Sequence, residues 1–324
     1  MPNKHNNSKR HHIPKQQYKI TNWSEYNAAL KQRGRIDIFI EENIIKSWSK
    51  TRLHDGQGST KQYSDLAILT CHRFRMVFHL PLRQTQGFVG SMFEMMNLNI
   101  PVPSISTLCD RLKTLGIETP EFKNKTPKKN GILAIAIDST VLKQYGRDEW
   151  HQEKHRVKSK ASWRKAHFAV GDDHIIYGAK MTDKNTWDNE VIDDLVAQID
   201  VQVEHVSGDK CYDENTVYEI LTEAFPEADI VIPPKNNITD NENHHEKRLE
   251  HVREIAGTNQ LSWQEKHHYG KRNTSELAMQ RYKRIFGNKL HAREFERQEQ
   301  EIIIACGVLN LFTGFGMPQS YRTV

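Results

Sequence analysis

The chain has 324 residues, 37% of them apolar and 27% charged, with a formal net charge of +5 at pH 7. A single core usually stops growing at roughly 250 to 300 residues, so two domains are expected. No apolar run reaches the roughly 18 residues of a membrane span, and the start has no secretory pattern, so membrane and exported classes are set aside and a cytoplasmic protein is expected. Cys71, Cys109, Cys211 and Cys306 lie far apart with no CxxC pair, which points away from a disulfide framework and from a thiolate zinc site.

In chain order, residues 1–19 form a basic tail, with Lys4, Lys9, Arg10, Lys15, Lys19, three histidines and no acid. Stretches of one sign attract polyanions, because neutralising phosphates releases counterions; a solubilising tail has the same composition. Residues 20–125 read as a helical domain. Phe88, Val89, Met92, Phe93 and Met96 recur at helical spacing over about residues 83–96. The chain breaks at 97–103, and Ser104 then offers a cap to a helix lined by Leu108, Leu112 and Leu115 and stopped by Gly116. Helix, turn, helix over 83–116 is the outline of a DNA-reading helix-turn-helix whose second helix presents Ser106, Thr107, Asp110, Arg111 and Lys113. Two amphipathic helices in a plain core give the same pattern. Gly116, Pro120 and the lysine-rich residues 123–131 mark a linker.

From residue 126 the signal changes to strands. Residues 131–137 read as a buried strand ending at Asp138, and residues 166–181 as a hairpin turning at Gly171, Asp172 and Asp173. Residues 187–199 follow as a helix, 201–206 as a strand running into Gly208 and Asp209, 214–224 as a helix and 228–232 as another buried strand. Residues 235–267, rich in Asn, His and charge, read as a polar insertion before a helix over 271–286 and a last helix around the apolar residues 302–306. This order is that of a ribonuclease H-like α/β fold, a mixed sheet flanked by helices, preceded here by an all-helical domain.

In such a sheet the strand ends carrying Asp138 and Asp209 lie side by side, so two carboxylates meet at one edge. A third comes from the helix over 271–286: Tyr269, Arg272, Glu276 and Lys283 fall within an arc of about 60°, opposite the apolar Ala278, Tyr282, Ile285 and Phe286. Asn273, Thr274 and Ser275 are cap-forming, and a helix starting there leaves Tyr269 and Arg272 in the preceding turn. Cleaving a phosphodiester requires an activated water or 3'-hydroxyl and stabilised attacking and leaving oxygens. Two Mg2+ ions about 3.5 to 4 Å apart do both, carboxylate oxygens hold them, and Mn2+ accepts the same ligands. Three clustered acids repel one another, which marks a metal-site candidate, while Arg272 and Lys283 suit the neighbouring DNA phosphates. An ordinary surface pair one helical turn apart is the alternative for Arg272 and Glu276. Residues 154–165, with six Lys or Arg and no acid, add Arg164 and Lys165 to the candidate DNA contacts.

Asp138 in AIDST, Asp209 in SGDKCYD, and the spaced run through Tyr269, Arg272, Glu276 and Lys283 together resemble the bacterial insertion-sequence DDE transposases of the insertion-sequence four/five superfamily, most closely its five branch. The likeness extends through residues 67–93, 145–150, 163–168, 232–235 and 316–318. It departs at Lys210, where the pattern has a small residue; this puts a charge beside the site and leaves all three carboxylates intact. The resemblance implies an enzyme that binds terminal inverted repeats, cleaves the element's ends and joins them to target DNA by metal-dependent phosphoryl transfer. Asp138, Asp209 and Glu276 would be the catalytic residues and the ligands of two Mg2+ ions, which Mn2+ can replace. Double-stranded DNA would be the partner, the DNA-bound state a homodimer or larger, and the location the bacterial nucleoid. DNA contacts are expected from Tyr269, Arg272, Lys283, Arg164, Lys165, Arg111, Lys113 and Trp187; the tryptophan either stacks on an extruded base, as in related transposases, or packs in the core. A stand-alone nuclease of the same fold, or an inactive DNA-binding remnant, shares much of this pattern, and the presence of all three acids argues against the remnant. His244, His245 and His251 are either a metal cluster or part of a solvated loop.

Overall fold

The computed structural model describes residues 17–40, 42–51, 61–124, 133–144, 163–236, 238 and 243–323. Most of the basic tail, residues 145–150 and most of the cationic stretch 154–165 lie outside the described residues. The chain forms two compact units, one of residues 39–311 and a smaller one of residues 1–38 with 312–324.

The described chain opens with β1 (Gln17–Ile20) and α1 (Trp23–Arg33), then α2 (Glu42–Lys46) and an antiparallel pair, β2 (Ser49–Thr51) with β3 (Lys61–Tyr63). Helices α3 (Asp65–Val77), α4 (Leu82–Met95) and α5 (Ile105–Thr114) pack on one another. Ser64 caps α3, accepting from the Ala67 amide at 3.1 Å, and Ser104 caps α5, accepting from Thr107 at 3.2 Å; both satisfy amides that a helix start otherwise orphans. Residues 117–124 are fastened along their length. The Gln300 side chain bonds both the amide and carbonyl of Ile117 at 3.0 and 2.9 Å, Asn310 donates to the Glu121 carbonyl at 2.9 Å, and Arg73 pairs with the Glu121 carboxylate.

The sheet comprises β4 (Ala134–Lys143), β5 (Trp163–Gly171), β6 (Ile176–Asp183), then, after α6 (Ile192–Val196), β7 (His205–Ser207), and, after α7 (Asn215–Ala224), β8 (Asp229–Val231). The insertion folds as α8 (Glu246–Gly257) and α9 (Gln260–Lys266), followed by α10 (Asn273–Phe286), α11 (Phe295–Phe315) and β9 (Ser320–Thr323). Strand order is β6-β5-β4-β7-β8, with β5 antiparallel to β4 and β6, and with β7 and β8 parallel to β4. This is a ribonuclease H-like mixed sheet. One face carries Ile135, Ile137, Val206 and Ile230 against Ile192 and Leu195 of α6 and Val217 and Leu221 of α7. On α10 the buried side is Ser275, Ala278, Met279, Tyr282 and Phe286, and the Tyr282 ring meets Phe168 of β5 at 5.7 Å. Sandwiching leaves β4 apolar on both faces, which is why its sequence reads as a continuous run and not as an alternation.

The region expected to be all-helical also contains the antiparallel pair β2–β3, and the strand expected over 201–206 narrows to β7 at His205–Ser207. Three further elements differ from the sequence expectation. First, β4 does not end at Asp138 but runs on to Lys143, because β5 stays paired with it from Ile135 to Lys143. Second, the helix expected over 187–199 shrinks to a 3-10 turn at Asp188–Val191 and the short α6. Third, the polar insertion is helical and buries Arg248, Leu249, His251 and Trp263. A few apolar anchors and partnered polar groups bury one side of it, which composition alone hides. In the smaller unit β1 pairs antiparallel with β9, Gln17 facing Thr323 and Ile20 facing Ser320.

Candidate active site

Where β7 stops, the sheet opens. Its pairing with β4 ends at Ala136 opposite Ser207, so Asp138 lies two residues past the last paired position, on a stretch of β4 that has β5 on one side only. Ligands of open α/β sheets gather at such carboxyl ends of parallel strands. From β7 the chain turns through Gly208, where a Cβ would meet the Tyr212 ring at 3.1 Å, into Asp209. The Asp209 carboxylate accepts from the Cys211 amide at 2.8 Å and so caps the one-turn helix Lys210–Tyr212.

The third acid arrives from the far side of the insertion. Tyr269–Arg272 form a 3-10 turn that touches β4 and β7, and α10 begins at Asn273. Tyr269 and Arg272 therefore precede the helix, as the cap-forming residues after them suggest, and Glu276 sits in its first turn with a 56% exposed side chain. Arg272 draws these parts together. Its Nη1 lies 3.0 Å from Asp138 Oδ2, its Nη2 pairs with Glu276 Oε1, and its guanidinium carbon lies 5.9 Å from the Tyr269 ring centre. Ser139 donates its amide to Asp138 Oδ1 at 2.8 Å.

Burial pushes the Asp138 carboxyl up to about 6; the Asp209 and Glu276 charges add to this, and the Ser139 amide and Arg272 oppose it. Tyr269 is pushed to about 12, first by burial and then by Asp209, Asp138 and Glu276, against the pull of Arg272. One tyrosine thus feels all three acids and keeps its proton at neutral pH. Among the described residues no three His, Cys, Asp or Glu side chains are gathered tightly enough to hold one ion; Arg272 supplies the positive charge between Asp138 and Glu276 in this arrangement. The donor chemistry nonetheless fits a hard divalent cation. All the donors are carboxylate oxygens, and a cation would relieve the cost of ionising the half-buried Asp138 beside two other acids.

The other expected contacts divide. Lys283 lies half-exposed on the Glu276 side of α10, and Trp187 is 72% exposed, so it does not pack in the core. Lys165 is held inward: its Nζ donates to the Thr186 carbonyl at 2.8 Å and to Asp188 Oδ1 at 2.9 Å. Arg164 donates to Gln298 at 3.0 Å and lies 5.0 Å over the Phe295 ring. Arg111 donates to the Tyr63 carbonyl at 3.0 Å and pairs with Asp65; Lys113 is half-exposed and 3.8 Å from Glu296. His244, His245 and His251 each have a different partner and form no metal cluster among the described residues. His251 donates to the Ile230 carbonyl at 2.6 Å and accepts from Trp263 Nε1 at 3.1 Å, His244 meets Arg248 at 3.2 Å, and His245 stacks on Tyr218.

Sequence reading passed over Asp188. Its Oδ2 accepts from the Ser139 hydroxyl at 2.8 Å, next to Asp138, while its other oxygen takes Lys165, so it anchors the turn that carries Trp187 beside the site. The only signal was its position directly after an unexplained tryptophan.

Residues 31–147 and residues 129–311 each match a family model described as a transposase DDE domain. The second match covers more than half of the chain and spans the whole five-stranded sheet, Asp138, Asp209, the insertion and Glu276.

Proposed function

Because the chain belongs to the transposase DDE family, we propose that it binds the terminal inverted repeats of an insertion sequence, cleaves the ends and joins them to target DNA. The observation that carries the site assignment is the meeting of Asp138 and Glu276 on one guanidinium, with Asp209 near enough to raise the Asp138 pKa. In this reading Asp138, Asp209 and Glu276 hold two Mg2+ or Mn2+ ions. Bound there, such ions activate the attacking water or 3'-hydroxyl and stabilise the leaving oxygen. The remaining residues handle DNA. With the carboxylates taken up by the ions, the Arg272 guanidinium that pairs with Asp138 and Glu276 in the structure exchanges them for a phosphate beside the scissile bond, which it grips with two parallel hydrogen bonds. Lys283 adds a point charge, and the protonated Tyr269 hydroxyl donates to a phosphate or to the terminal base. Trp187 offers an exposed face for a base to stack on. Helix α5, with Lys113 at its edge, reads the repeat, and two copies of the chain hold two ends.

The test uses purified protein, labelled DNA carrying the element's ends, and Mg2+. Nicks at the ends followed by joined products are expected. Asp138→Ala, Asp209→Ala and Glu276→Ala should each reduce both to background while leaving end binding intact, since most affinity comes from phosphate contacts elsewhere. A variant that keeps wild-type turnover removes that residue from the site, and nicks without joined products point to a nuclease.

A further inference from the structure

The insertion is tied to the acidic site at two points. From α8, Arg248 reaches Asp213, with Nε to Oδ1 at 2.7 Å, Nη2 to Oδ2 at 3.0 Å and Nη2 to the Asp213 carbonyl at 2.8 Å. Both side chains are buried, 3% and 0% exposed. The Lys235 amide, at the start of the insertion, donates to Asp213 Oδ2 at 2.6 Å. Asp213 closes the turn that Asp209 opens: the Tyr212 amide donates to the Asp209 carbonyl at 3.1 Å, and the Asp213 amide to the Lys210 carbonyl at 3.3 Å. The Asp209 carboxylate therefore stands on a one-turn helix whose far end is gripped by the insertion. The second tie is Trp263 of α9, fully buried, whose ring lies 5.6 Å from that of Tyr269 and whose Nε1 bonds His251, itself bonded to the Ile230 carbonyl of β8.

We infer that α8 and α9 are a positioning brace for the acidic site, in which Arg248 and Asp213 set the place of Asp209 and Trp263 supports Tyr269. A bidentate guanidinium–carboxylate pair fixes orientation as well as distance, and buried side chains hold that geometry against thermal motion. The brace matters because a displacement of about 1 Å in a reacting group costs on the order of a hundredfold in rate. This inference rests on Asp209 belonging to the site.

Two variants of the full chain test it. Arg248→Lys keeps the charge but loses the fork. Asp213→Leu combined with Arg248→Met replaces the buried pair by apolar volume, an exchange that often preserves stability. Four quantities are measured: melting temperature, DNA-end affinity, cleavage rate, and Mn2+ binding without DNA by titration calorimetry. Both variants should bind ends like wild type. Cleavage should fall, by on the order of a hundredfold in the double variant, and Mn2+ affinity should weaken about tenfold, as it does when an outer partner of a metal ligand is lost. Wild-type cleavage and Mn2+ affinity in both variants would overturn the brace, and if the double variant does not fold, Arg248→Lys decides by the same two readouts. Retained cleavage in Asp209→Ala would instead remove Asp209 from the site, so the two failures are distinguishable.

Discussion

Arg272 is the residue whose chemistry is most exposed to test. Its guanidinium contacts Asp138 and Glu276 at once, a geometry that a lysine ammonium cannot reproduce because it is a point charge on a flexible stem. Arg272→Lys is therefore expected to lower both cleavage and affinity for a cleaved end although charge is kept, with Arg272→Ala lower still. If the arginine only made an exposed surface pair, worth about 0.3 to 0.5 kcal/mol, Arg272→Ala would cleave near the wild-type rate. A second residue carries a prediction about pH. His72 is 1% exposed and its Nε2 donates to the Leu108 carbonyl at 3.0 Å, while burial lowers its pKa to about 3. Between roughly pH 6.5, the ordinary histidine value, and pH 3, the unfolded chain binds a proton that the folded chain refuses. The stability owed to neutral His72 is thus full above the unfolded value and drains away as pH falls toward the folded one. Melting temperatures recorded from pH 7.5 to 4.5 should drop, and His72→Gln, which still donates a hydrogen bond, should flatten that slope; an unchanged slope would clear His72 of the effect.

At the scale of elements, two tryptophans make opposite forecasts. Trp187 is 72% exposed on the turn anchored by Asp188, whereas Trp263 on α9 is fully buried. Trp187→Ala should leave stability within about 0.5 kcal/mol and reduce end binding and cleavage. Trp263→Ala should cost about 3 to 5 kcal/mol of stability. Denaturant unfolding beside a cleavage assay checks both, and normal cleavage in Trp187→Ala would make that side chain a bystander. The same contrast marks what the sequence discloses. The places of Asp138 and Asp209 just past paired strand segments were legible, the first after the apolar residues 131–137 and the second after a stretch that carries Val201, Val203 and Val206. The exposed place of Glu276 was legible because an amphipathic helix sorts its own faces. The insertion was not legible. Its fastening is an ion pair between Asp213 and Arg248, far apart in the chain, and one tryptophan amid polar residues; no local period encodes either. Asp188 escaped for the same reason, since its partners Ser139 and Lys165 lie on two different strands.

For the whole molecule, the proposed ligation of a metal by Asp138, Asp209 and Glu276, which lie far apart in the chain, would make metal binding a property of the folded state. A divalent ion that binds only the folded chain should raise its melting temperature, by an amount equivalent to about 2.7 kcal/mol at a hundredfold excess over Kd. Scanning calorimetry with and without Mn2+ should show the rise in wild type and its loss in Asp138→Ala and Asp209→Ala. An equal rise in all three proteins would locate the ion elsewhere. The pairing of β1 with β9 has a consequence of another kind. Gln17 and Thr323 stand 306 positions apart in the chain, yet the strands that carry them are each other's hydrogen-bonding partners. On the ribosome, residues 39–311 can begin to assemble as they emerge, whereas β1 must wait until residues 320–323 have been made. Until then its backbone donors and acceptors stay unmatched, so a nascent chain that stalls before residue 320 leaves an open strand edge for another chain to claim.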